Sequence, residues 1–186
     1  MRKFALFFAG LLSAGSAQAA AINIGQWYSF RFGAEGSALT SGGAFLGVNP
    51  VSIAAPEGPW TFSLASGGIL TVVDGYDSGD VFEMFNAGSS LGSTVSASLD
   101  SVDCDNDITA CLNNPSISKG FFALGAGDQS ITGIATASPF GGGSAFFMVA
   151  GVSGALPEPA SWAMLVAGFA LAGVAMRRRR MAVSFA

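Results

Sequence analysis

The sequence predicts an all-β fold: a single β-sandwich, jelly-roll-like, with an N-terminal signal helix before it and a C-terminal transmembrane helix after it. Three observations lead there. Apolar residues alternate with polar ones at a two-residue period in short windows. Clusters of Gly, Asn, Asp and Pro separate those windows. Between the two ends, no stretch carries an apolar stripe at helical spacing. The chain has 186 residues, 51% of them hydrophobic, with 26 Gly, 8 basic and 12 acidic residues and no His. That composition excludes a charged disordered chain and a collagen-like one. Without His, acid–base and zinc chemistry lose their commonest residue.

The N-terminus reads Met1-Arg2-Lys3, then an apolar stretch over 4–12, then small residues and Ala17-Gln18-Ala19. A positive start, a short hydrophobic core and an Ala-x-Ala site in that order predict a signal peptide over 1–19, cut after Ala19 or Ala21. The next segment, 20–156, has the size of one domain. Its only cations are Arg31 and Lys119, set against eleven carboxylates, for a net charge of −9. Such a body is a poor partner for nucleic acid or an anionic membrane.

Strands follow in order. Tyr28, Phe30 and Phe32 alternate with Ser29 and Arg31, and Trp60, Phe62 and Leu64 alternate with Thr61, Ser63 and Ala65. Segments 69–73, 80–85, 120–124, 130–137 and 144–149 read as further strands. The alternating aromatics are expected in the core rather than on a sugar-stacking face. Asp74-Gly75 and the run Asp77-Ser78-Gly79-Asp80 read as a turn, which competes with a reading of Asp74, Asp77, Asp80 and Glu83 as a catalytic carboxylate pair. Gly141-Gly142-Gly143 lacks the Lys of a phosphate loop and reads as a hairpin connection.

Cys104 and Cys111 are the only cysteines, and in an exported chain they are expected to pair. Asp103, Asp105 and Asp107 alternate in the same loop. Alternating carboxylates can converge on Ca²⁺, although Ile108 and Asn114 stand where an EF-hand needs Gly and Glu. The alternative is a solvated acidic turn clipped by the disulfide.

The last segment, 157–186, begins Pro157-Glu158-Pro159 and continues through Trp162 and Ala163 in an apolar run to Met176. Arg177, Arg178, Arg179 and Arg180 close it. As a helix, residues 160–176 would be roughly 25 Å long, short against a hydrocarbon core of about 30 Å. Snorkelling arginines would lengthen it and mark the cytoplasmic side, with Trp162 at the opposite interface.

This arrangement over 156–186 resembles the PEP-CTERM sorting signal of Gram-negative bacteria, in the subtype with Trp-Ala after two variable residues that follow Pro-Glu-Pro. Segments 71–74, 80–86, 122–127 and 137–143 resemble bodies often joined to it, and bring no activity with them. The resemblance implies an exosortase partner that recognises the signal and processes the chain near Pro157. It implies an inner-membrane intermediate and a final place at the cell surface or in the extracellular matrix, associated with exopolysaccharide and biofilm. The expectation is an exported non-enzymatic protein without a cofactor. A carbohydrate-binding module is the alternative, and a secreted glycan-acting enzyme is a more distant one.

Overall fold

The computed structural model describes residues 20–42, 45–95, 102–152 and 159–181. The expected signal peptide over 1–19 lies outside the described residues, as do Pro157 and Glu158. By contacts the chain divides into two compact units, Met1–Val152 and Ser153–Ala186.

The first unit is a two-layer β-sandwich. Its strands are β1 (Ala20–Ala21), β2 (Trp27–Phe32), β3 (Ile53–Ala54), β4 (Trp60–Leu64), β5 (Gly68–Asp74), β6 (Val81–Asn86), β7 (Ser89–Ser93), β8 (Lys119–Leu124), β9 (Gly127–Ala137) and β10 (Gly143–Gly151). One sheet runs β1-β4-β9-β6-β7 and the other β3-β2-β10-β5-β8. Four antiparallel pairs nest within one another along the chain: β2 with β10, β4 with β9, β5 with β8, and β6 with β7. Successive pairs fall in alternate sheets. That is a long double strand rolled up on itself, the jelly-roll arrangement.

Alternation explains the interior. Tyr28, Phe30 and Phe32 of β2, Trp60 of β4, Phe82 of β6 and Phe147 of β10 are all buried. Rings from the two sheets interlock: Trp60 stacks on Phe147 at 4.2 Å between centroids, and Phe30 meets Phe82 edge-on at 5.4 Å. These are core aromatics, as their period suggests, and the offset and edge geometries are those such rings prefer.

The opposite face of the β2-β10-β5 sheet carries a second, smaller core. Trp27, Val73 and Phe146 point to it, and Ile108, Cys104, Cys111 and Ile117 cover them. Part of the cover is a short helix, α1 (Ile108–Asn113), which the sequence pattern does not announce because six residues are too few for a stripe.

Three further features depart from the sequence reading. The run 141–143 does not join a hairpin, since β9 and β10 lie in different sheets. It is an arch from one layer to the other. β7 (Ser-Ser-Leu-Gly-Ser) has no alternation of its own. It becomes a strand because Ala87 and Gly88, both with positive φ, make a two-residue turn that lays it on β6. β1 and β3 are two-residue strands paired in parallel with β4 and β2.

The second unit contains α2 (Pro159–Met181), 23 residues long. Pro159 takes the first helical position, where its missing N–H costs nothing. The helix continues through the four arginines, further than the apolar run alone suggests. The expected transmembrane helix is therefore present as a helix, but among the described residues no helix is long and apolar enough to cross a membrane.

Candidate functional site

The disulfide loop organises one end of the sandwich. Cys104 and Cys111 are bonded, with 5.1 Å between their Cα atoms. The carboxylates in and beside this loop accept hydrogen bonds from the chain itself. Asp103 Oδ1 accepts from the Asp105 N–H at 2.6 Å, and Asp105 Oδ1 accepts from the Asn106 N–H at 2.8 Å. Asp107 caps α1, accepting from the Ala110 N–H at 2.9 Å. That bond and the one from Asn49 hold the Asp107 carboxyl below its ordinary range. Among the described residues no group of three or more His, Cys, Asp or Glu side chains is placed to hold a metal ion. Asp103, Asp105 and Asp107, the residues of the calcium expectation, serve here in two turns and a helix cap.

The loop instead grips two neighbouring segments. The Tyr76 N–H donates to the Asp105 carbonyl at 2.9 Å, and the Cys104 N–H donates to the Tyr76 carbonyl at 3.0 Å. Ser78 bonds to Val102 in both directions. On the other side, the Val48 N–H donates to the Asn106 carbonyl and Asn106 Nδ2 donates to the Leu46 carbonyl. Ser29 Oγ donates to the Phe45 carbonyl at 2.7 Å. Tyr76 is held at φ 64°, a left-handed conformation that a side-chain-bearing residue adopts at a cost of about 1–3 kcal/mol. These bonds over-determine it. The result is a fixed pair of rings, Phe45 and Tyr76, edge to face at 5.7 Å.

The rings stand at the rim of an open cleft of about 510 Å³. One wall is the β5–β6 connection with Gly75, Tyr76, Asp77 and Asp80. The other is the β9–β10 arch with Phe140 and residues 141–143. Arg31, Phe32 and Ser144 lie between them. The arch comes close at Gly142, which has no side chain to obstruct it. A Cβ on Gly142 would stand 2.7 Å from the Phe32 carbonyl oxygen, and its φ of 131° also excludes other residues. Phe45 and Phe140 are 57% and 59% exposed, so their faces are open to a ligand.

Two acids lie beneath the first wall. Asp74 is wholly buried. Its Oδ1 accepts from the Gly75 N–H at 2.9 Å and its Oδ2 from the Asp80 N–H at 3.2 Å, closing the turn expected from the sequence. Burial, reinforced by the nearby Asp80 charge, pushes Asp74 up to about 9. It therefore carries its proton at neutral pH. Asp80 is pushed up to about 6, chiefly by burial, with Asp77 adding to the rise and the Ser138 hydroxyl opposing it. That hydroxyl does not complete a hydrogen bond of good geometry, for Asp80 Oδ1 and Ser138 Oγ are both buried without a partner. Burial and the charges of Asp105 and Asp103 raise the Tyr76 phenol, which keeps its proton. Glu83, on β6, accepts from Ser90 Oγ at 2.7 Å and does not line the cleft.

The sequence reading reached the two carboxylates of this cleft and its glycine arch. It missed the rings, because Phe45, Tyr76 and Phe140 sit in connections, outside any alternating pattern. A signal was present: Tyr76 and Phe140 are aromatics beside Gly in stretches that otherwise read as turns, and Phe45 stands between Gly43 and Gly47, two residues from each.

The described residues of the C-terminal signal sit on α2. Pro159 opens it, Trp162 and Ala163 lie in its first turns, and Arg177, Arg178, Arg179 and Arg180 lie in its last. About 22 Å of helix separates Trp162 from Arg177. Cations in the last turn suit the negative end of the helix dipole.

Comparison with known families finds the PEP-CTERM protein-sorting motif at residues 155–180. No curated protein and no solved structure matches the chain. The motif implies an exported chain, directed by an exosortase and sorted toward the cell surface.

Proposed function

We propose that this chain is a non-enzymatic surface or matrix protein of a Gram-negative bacterium, in which α2 is a temporary handle and the β-sandwich is the delivered part. The observation that carries the reading is the sorting motif at 155–180, whose helix begins at a proline and ends in four arginines. Two prolines around Glu158 disfavour helix and keep a short strand available to a peptidase cleft. The helix seats in the inner membrane as a transient anchor, shorter than an ordinary span. Local thinning of the bilayer and snorkelling arginines make up the difference. The exosortase cuts near Pro157, and the released body associates with exopolysaccharide in the biofilm.

The carbohydrate-binding module is the second reading, favoured by the open cleft with aromatic residues at its edge. A glycan-acting enzyme fits less well. Asp77 and Asp80 belong to one tight turn and so to one wall, whereas glycoside hydrolysis needs carboxyls on either side of the scissile bond.

The test is mass spectrometry of the chain from cells with and without the exosortase. With the enzyme, the mature protein ends near Pro157 and leaves the membrane fraction. Without it, the tail stays intact and the chain stays with the membrane. An intact tail in both strains would overturn the reading.

A further inference from the structure

We propose that the cleft between the β5–β6 connection and the β9–β10 arch is a binding site for a neutral saccharide, with Phe45, Tyr76 and Phe140 as stacking faces and Arg31 and Asp77 as hydrogen-bonding groups. The inference deepens the exopolysaccharide association put forward above by giving it a site. Aromatic exposure is the first support. The rings of the sandwich strands are mostly buried, yet Phe45 and Phe140 stand exposed on the rim of one cleft and Tyr76 is fixed against Phe45. A sugar ring presents the complement: an apolar face of C–H groups, edged by hydroxyls that both donate and accept. Exposed Arg31 and Asp77 offer a donor and an acceptor among those faces.

Size and charge narrow the ligand. A cleft of about 510 Å³ lies within the usual range of small-molecule sites, about 300–1,000 Å³. The sandwich carries a net charge of −9, and Asp77 and Asp80 line the cleft against one arginine. Uronic, sulfated or phosphorylated glycans would be repelled, so the neutral class remains. The arch contributes open space, since a Cβ at Gly141 would meet nothing within 4 Å. Rigidity is the last support. The disulfide loop bonds Tyr76 directly and Leu46 and Val48 just after Phe45, whose own carbonyl accepts from Ser29 Oγ, so little ordering cost falls on binding.

The experiment is calorimetric titration of the full chain, disulfide intact, in a zwitterionic detergent, because glycoside detergents would compete for the cleft. The probes are cellohexaose, laminarihexaose, chitohexaose and mannohexaose, with an oligoalginate as the anionic control. At least one neutral probe binds, and the alginate does not. Phe45→Ala and Phe140→Ala each weaken binding about 10- to 100-fold, as expected for removing one buried ring face. Both residues are exposed, so the fold survives, and Phe121→Ala, an exposed ring on β8, leaves affinity unchanged. Binding of none of the neutral probes, binding of alginate alone, or wild-type affinity in both cleft variants would overturn the proposal. Glycan binding by a chain that is never cut would refute the sorting scheme and leave the site standing, and the reverse result would do the opposite.

Discussion

Asp74 shows how one residue can carry two opposed requirements. Its carboxyl ends β5 and receives two backbone N–H groups, yet it is wholly buried beside a second acid. The hydrogen bonds hold the turn in shape, and the burial keeps the group protonated. Asp74→Asn tests the two effects separately. An amide has only one acceptor oxygen, so either the Gly75 or the Asp80 N–H loses its partner. The variant is expected to be about 1–3 kcal/mol less stable by urea denaturation at pH 5. Its stability should also fall less on going to pH 9, because one titrating acid is gone. Equal stability at pH 5 would show that the turn does not depend on both bonds. Turn chemistry of this kind was legible in the sequence, since Asp-Gly and Asp-Ser-Gly-Asp are turn formers on local grounds. The raised pKa was not, because it depends on what packs over the carboxyl.

At the scale of elements, the disulfide loop is the piece whose role changes most between sequence and structure. Its alternating aspartates suggest a cation site, and in the structure one oxygen of each accepts a local N–H. What the loop does is brace. It covers the outer core around Phe146 and ties down the connections that hold Phe45 and Tyr76. Replacing Cys104 and Cys111 together by Ala is expected to lower stability by roughly 2–3 kcal/mol, the loop-entropy value for so short a ring. Urea denaturation measures it, and a change under about 1 kcal/mol would show that packing alone holds the loop. The strands tell the opposite story. Alternating Trp60, Phe62 and Leu64 announce β4 without help, while β7 forms only because a turn presents it to β6.

For the whole molecule, the excess of carboxylates sets the response to pH. Asp74 and Asp80 have folded values of about 9 and about 6, both above the ordinary 3.8. A raised acid binds its proton more tightly in the folded state, so its contribution is complete below about pH 4 and is lost as pH rises. For Asp80 the loss is over near pH 6, and for Asp74 it runs on to about pH 9. Asp107 is lowered and works in the other direction, losing its contribution as pH falls below about 4. Thermal melts across pH 3–10 should therefore show greatest stability near pH 4, with a decline from there toward pH 9. A flat profile from pH 5 to 9 would contradict the burial of Asp74.

The sequence by itself determined the layout of the chain: a charged and apolar N-terminus, a strand-rich acidic body, and a C-terminal helix led by prolines and closed by arginines. These signals are local, in period, composition and order, and a linear reading captures them. Tertiary structure decided the rest. It rolled nested strand pairs into two layers, sent the glycine run between sheets instead of around a hairpin, and brought Phe45, Tyr76 and Phe140 to one rim from three separate connections. Contacts between residues so far apart along the chain follow from which faces must be buried together, and no local pattern encodes that.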